Sequence, residues 1–139
     1  MYELLEHQSE IGIRASGKTK EEAFSEASKA LFSIMTDIDK VEYIEYANII
    51  VRANNIEELF SQLMNELIYL MNINNSFYSR FEYEITIENK EYNLTGIIHG
   101  ERIDENKHEL RTEVKAATYS GLKVWEENNN KFVQIIVDV

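Results

Sequence analysis

Between Lys20 and Met35, apolar residues fall at Ala23, Phe24, Ala27, Ala30, Leu31, Ile34 and Met35, the spacing of a helix with one apolar face. A second stripe of this kind runs from Ile56 to Met71 through Leu59, Phe60, Leu63, Met64, Leu67 and Ile68. Such helices are stable only when their apolar faces lie against something else. Thr19 with Glu22 makes a capping box for the first, and Asn55 with Glu58 marks the start of the second.

The rest of the chain alternates with period two, so the partner of both helices is a sheet. Phe81 to Glu88 (FEYEITIE) reads as a half-buried strand with an acidic outer face. Asn89-Lys90 then turns it back into Tyr92–Ile98 as a hairpin. Asn48 to Ala53 is a short apolar strand between the helices. Leu122–Glu126 and Phe132–Val139 flank a turn at Asn128–Asn130, and Tyr2–Glu6 is a further strand in need of a neighbour. Proline is absent, so turns fall to asparagine and glycine, as at Asn74-Asn75-Ser76. The order predicts an α+β fold, two amphipathic helices packed on a mostly antiparallel sheet, in a single domain over residues 1–139.

With 25 acidic and 14 basic residues the chain carries a formal charge of −11. That balance opposes strong direct nucleic-acid binding and suits protein partners or hard cations. The absence of cysteine excludes disulfides, thiolate metal sites and cysteine nucleophiles. No apolar run approaches the roughly 18–20 residues of a membrane span, and MYELLEHQSE lacks the layout of a signal peptide. The expectation is a cytoplasmic protein without a membrane partner.

Catalytic signatures are missing. The chain has no glycine-rich phosphate loop, G-x-S-x-G elbow, H-E-x-x-H or EF-hand loop, and no base and nucleophile converge, so no enzyme is expected. Asp37 and Asp39 read as turn residues after the first helix. His7 and His108 sit in polar stretches without a partner at helical spacing. Asp138-Val139 is different, because it sets a side-chain carboxylate beside the terminal one, both hard oxygen ligands for calcium or magnesium. Glu10, after the N-terminal strand, is the candidate third ligand.

The segment HELRTEVKAATYS (His108–Ser120) mixes helix-friendly and strand-friendly residues. The reading is a short helical turn at Asn106–Leu110, then a strand from Thr112 to Tyr119. Alternation along that strand would send Glu113, Lys115, Ala117 and Tyr119 to one face and Thr112, Val114, Ala116 and Thr118 to the other.

This segment resembles the signature of the archease family. So do Gly100-Glu101-Arg102 with Asp104, ELFSQLMNELIYLM (Glu58–Met71), ALFSIMTD (Ala30–Asp37), EHQSEIGI (Glu6–Ile13) and the closing IIVDV, all in family order. The resemblance implies a non-enzymatic partner that promotes guanylylation and repeated turnover of an RtcB-type RNA ligase in tRNA splicing. It also implies a chaperone-like role toward another RNA-modifying enzyme, such as a tRNA methyltransferase, as the alternative. It implies a divalent cation, typically calcium with magnesium as the alternative, held by Glu10, Asp138 and the carboxylate of Val139. The surface meeting the partner would carry His7, His108, Arg111, Glu113, Lys115, Thr118 and Tyr119. Glu10 stands where the family motif H-T-A-D-x-G has aspartate, Gln8 where it has threonine, and Ser120 where the signature closes on histidine.

Overall fold

Both amphipathic stretches are helical in the computed structural model, which describes residues 1–6 and 8–139. The first helix, α1, spans Lys20–Met35, and the Thr19 hydroxyl caps it by accepting the Glu22 N–H at 3.1 Å. The second, α2, spans Ile56–Asn74, and the Asn55 side chain accepts the Glu58 N–H at 2.8 Å. It continues past Met71 and stops at Asn75, whose φ of 49° is left-handed. After α1, Asp37 accepts the Asp39 N–H at 3.1 Å and opens a single 3₁₀ turn, the turn role expected of this pair.

The strands are β1 (Tyr2–Glu6), β2 (Glu10–Gly17), β3 (Glu45–Ala53), β4 (Ser76–Glu88), β5 (Glu91–Arg102), β6 (Ala116–Ala117), β7 (Lys123–Glu127) and β8 (Asn130–Asp138). The expected α+β architecture is present, and its antiparallel strands divide into two sheets. In one, β1, β2 and β8 lie in order, with β6 and β7 sharing the far edge of β8; in the other the order is β3-β5-β4. The helices run between the sheets. α1 packs on β2 and β8 of the first and β4 of the second, while α2 packs on β3, β4 and β5 and on β6 and β7. This explains why Phe32 and Ser28 of α1 are buried along with its apolar stripe. β2 escaped the sequence reading because glycines at 12 and 17 interrupt it, although its buried Ile11, Ile13 and Ala15 do alternate.

Aromatic rings fill the space between the two helices and between α1 and β4. Phe24 meets Phe60 at 5.1 Å, and Phe32 stacks on Phe81 at 5.7 Å and stands edge-on to Tyr78. Each fully buried ring or leucine contributes roughly 1.5–3 kcal/mol of transfer free energy. The Tyr83 hydroxyl bonds Ser28 at 2.8 Å, and burial pushes its pKa far above the usual phenol range. Both long hairpins turn through left-handed residue pairs, Asn89-Lys90 and Asn128-Asn129, the conformation asparagine tolerates best among residues with a side chain.

At Gly100 the backbone of β5 passes so close to β4 that a Cβ would collide with the Phe77 carbonyl. Gly100→Ala is expected to lower stability by about 1–3 kcal/mol. Urea unfolding checks this: the midpoint should fall with the slope unchanged.

Candidate functional site: an acidic strand end beside the signature strap

The signature segment forms a strap that crosses the end of α1 and delivers β6 to the edge of β8. A turn just ahead of the signature leads into it from Asp104, whose carboxylate accepts the Asn106 N–H at 2.9 Å and whose carbonyl accepts the His108 N–H at 2.7 Å. The Asp104 N–H in turn donates to His108 Nδ1 at 2.9 Å. His108 is 2% exposed and edge-on to Phe77, so it lies beneath the surface rather than on it. The sequence placed it in a polar, partner-facing stretch, but its acceptor nitrogen is spent inside the turn. Its Nε2 lies 3.3 Å from Glu101 Oε2 but out of line for a hydrogen bond.

Glu101, 7% exposed, is the hub of this end of the strap. It accepts the Glu42 N–H at 2.6 Å, and Lys107 Nζ stands 2.9 Å and 2.8 Å from its two oxygens. Burial raises the Glu101 pKa, but Lys107, the Glu42 amide and His108 together outweigh it and leave the carboxyl below its ordinary value. Hydrogen bonds to Glu101 and Glu42 hold Lys107 above its own.

Farther on, the strap satisfies the last carbonyls of α1, which have no partner within the helix. The Arg111 N–H donates to Met35 O at 2.9 Å and the Thr112 N–H to Ile34 O at 3.1 Å. The Arg111 guanidinium donates to Ser33 O at 3.1 Å and Thr36 O at 3.3 Å. Because these amides serve the helix, the ladder expected from Thr112 to Tyr119 shortens to Ala116–Ala117. The expected helical turn likewise reduces to residues 105–107. Val114 is buried as an anchor. On the far edge of Ala117, Asn65 of α2 accepts its N–H at 2.9 Å and donates to its carbonyl at 3.2 Å, so a side-chain amide replaces a neighbouring strand. Thr118 donates to Ile136 O through both its N–H and its hydroxyl, each at 2.9 Å. Tyr119 follows in a loop that adds three residues to the register, six steps from Ala117 to Lys123 facing three steps from Val137 to Gln134, and it is 72% exposed.

This route frames the end of β8. Asp138 pairs with Glu10 on one side and Ala116 on the other, and its carbonyl accepts the Lys115 N–H at 2.8 Å. The Val139 N–H donates to Ser9 O at 3.1 Å. Since Val133, Ile135 and Val137 face the core, Asp138 points outward, and Glu10 opposite it shares that face. Directly opposed carboxylates on an antiparallel pair repel each other. Among the described residues neither has a cationic partner within 4.0 Å. No three His, Asp or Glu side chains among the described residues converge as a metal cluster. The two carboxylates are a pair of hard oxygen donors, the chemistry that suits calcium or magnesium. Lys115 is exposed beside them, Glu113 is exposed two residues earlier on the strap, and Thr118 is half-buried. His7 lies outside the described residues. Sequence reasoning passed over Asn65, which lies between Met64 and Glu66 on the exposed side of α2 without any motif, and Glu101, noted only as part of the family resemblance.

Fold and site define a small two-sheet α+β protein that presents an acidic strand end beside a strap bearing Arg111 and Lys115. The Archease protein family (MTH1598/TM1083) matches residues 2–139. Curated relatives called protein archease include one from Sulfurisphaera tokodaii, 36% identical over 138 residues, covering 99% of this chain and 98% of that protein. Another, from Pyrococcus furiosus, is 34% identical over 139 residues, again covering 99% and 98%. The solution structure of protein 1598 from Methanobacterium thermoautotrophicum superposes with a TM-score of 0.88 at 28% identity, covering 99% of this chain and 98% of that one. An archease from Thermotoga maritima, described as a possible chaperone, shares the fold at a TM-score of 0.61 and 23% identity over 100% of this chain and 98% of its own. The chain belongs to the archease family. No helix is long and apolar enough to cross a membrane among the described residues.

A depressed carboxyl pKa contributes stability above the ordinary glutamate range, lost as pH falls below about 4.3. Glu101→Gln is therefore expected to cost most near neutral pH, the gap to wild type closing in acid. Unfolding curves at pH 7 and pH 3 check this; an equal gap at both would mean that the Glu101 charge contributes nothing.

Proposed function

We propose that this archease is an accessory protein of an RNA-processing enzyme, an RtcB-type RNA ligase, and that it acts through the strand end at Glu10 and Asp138. The observation that carries the proposal is the opposition of these two carboxylates on the outer face of the sheet, with no cationic partner among the described residues. A divalent cation bound there would be held by Glu10, Asp138 and the carboxylate of Val139, with water and backbone oxygens completing its shell. Such an ion offsets the repulsion, taking the three carboxylates from a local charge of about −3 to about −1. Lys115 supplies a cation beside that end, and Arg111, paired with Glu109 at 3.1 Å, lies farther along the strap. Lys115 offers a compact ammonium to a phosphate or an acidic loop of the partner. Glu113, Thr118 and the exposed Tyr119 supply the adjoining polar and aromatic contacts. The chain itself contributes no nucleophile or base in this proposal; it adjusts the ligase during guanylylation and lets it turn over repeatedly.

The test is reconstitution of the cognate ligase under multiple-turnover conditions. Guanylylation and turnover are expected to rise with this protein, and Lys115→Ala or Asp138→Ala to remove the gain. Rates that ignore the added protein would overturn the proposal.

A second reading is a chaperone-like role toward another RNA-modifying enzyme such as a tRNA methyltransferase; only its chaperone part has support, in the description of the Thermotoga maritima relative as a possible chaperone. Affinity capture from the native cell separates the two by which enzyme is enriched.

The cation has its own readout. The melting temperature is expected to rise with free calcium, as binding to the folded state requires, and Asp138→Ala to abolish the rise. In calcium-free buffer Asp138→Asn should be at least as stable as wild type, because the repulsion is gone. A melt indifferent to calcium would reduce both residues to ordinary surface acids.

A further inference from the structure

The fold protects four of its five sheet edges. On β4, Glu21 of α1 accepts the Ile85 N–H at 3.3 Å and Ser25 donates to Phe81 O at 2.9 Å. On β6, Asn65 occupies both edge groups of Ala117. β1 and β7 are 5 residues each and carry Glu3 and Glu6, or Lys123, Glu126 and Glu127. Short strands and charges of this sort discourage pairing. β3, with 9 residues, Glu45-Tyr-Ala-Asn-Ile-Ile-Val-Arg-Ala53, is longer, no helix side chain bonds its open edge among the described residues, and its two charges, Glu45 and Arg52, are of opposite sign. It contains no proline or bulge between Glu45 and Ala53, and it bonds to β5 on one side only.

We infer that β3 is a self-pairing edge: it joins β3 of a second copy of this chain, antiparallel about a two-fold axis at Ile49. The ladder fixes which groups are available. Phe81 and Ile85 turn their backbone groups toward α1, so the alternate residues of β4 serve β5. Carried across β5, the same alternation sends the N–H and C=O of Tyr46, Asn48, Ile50 and Arg52 to the open side. An axis at Ile49 overlaps all 9 residues of both strands, and each of those groups then meets one from the other copy. Registers shifted by two residues in either direction leave strand ends unpaired.

Side chains favour the same register. Tyr46, Asn48, Ile50 and Arg52 are all exposed on the outer face, Tyr46 by 68% and Ile50 by 62%. The axis sets Tyr46 opposite the partner's Arg52, a cation over an aromatic ring, and Asn48 opposite the partner's Ile50. Arg52 has no ion-pair partner within 4.0 Å among the described residues. Although the chain carries a formal −11, the strip itself is balanced by one Glu45 and one Arg52, so it can face its own copy. The Glu10–Asp138 end belongs to the other sheet and stays open.

Sedimentation velocity over a concentration series is the first test. Wild type is expected to shift from monomer to dimer as concentration rises, and Ile50→Lys, an exposed change, to remain monomeric with an unaltered circular dichroism spectrum. A wild type that stays monomeric throughout, or an Ile50→Lys protein that dimerises equally, overturns the inference. The register has a separate test, since the chain has no cysteine of its own. Asn48→Cys and Ile50→Cys proteins, mixed and oxidised, are expected to cross-link to each other and neither to itself. Homodimeric cross-links in either protein, or none in the mixture, contradict an axis at Ile49.

Discussion

The end of α1 is the constraint on which the rest depends. A helix that stops inside a protein leaves carbonyls without donors, and leaving them buried and unsatisfied costs on the order of 1–3 kcal/mol each. α1 stops between two sheets, and no basic residue occupies its last turn. The strap supplies the missing donors from Arg111 and Thr112. Once those residues are fixed, the next few can reach only the edge of β8. Asn65 and Val114 hold them there. A requirement of helix chemistry thus becomes a way of placing Lys115 beside Asp138.

The same geometry accounts for the charge at the strand end. β2 and β8 pair in a register set by buried Ile11, Ile13, Ile135 and Val137, since a slip of one residue would turn those side chains to solvent. With that register held by the core, Glu10 and Asp138 have no choice but to oppose each other. The core therefore stabilises an arrangement that its surface resists, and that tension is what a bound cation would relieve.

Much of the fold was legible in local pattern. α1 has the bounds its stripe and its Thr19 cap imply, and both asparagine turns fall where expected, because caps, periodicity and left-handed turns are short-range chemistry. The division into two sheets was not legible, since strand periodicity does not say which strands are neighbours. β2 was hidden by its glycines, and the strap misled because its strand-like residues donate to a helix instead of a ladder. Carboxylate chemistry and family resemblance both pointed to Glu10 and Asp138, and the register sets the two opposite each other. His108 was misjudged because a polar neighbourhood in sequence closed into a buried turn, with its ring packed on Phe77. Asn65 could not be found at all, for only the tertiary fold brings an α2 amide to the edge of β6.

Native-state hydrogen exchange on an Asn65→Ala variant tests most directly whether the strap is held from outside rather than by its own ladder. Loss of protection at Lys115, Ala117 and Thr118 together, with Ile13 and Ile135 unchanged, is the predicted result, because the β2–β8 pair does not depend on the clamp. Protection retained at Ala117, or lost evenly across β2 and β8, would contradict it.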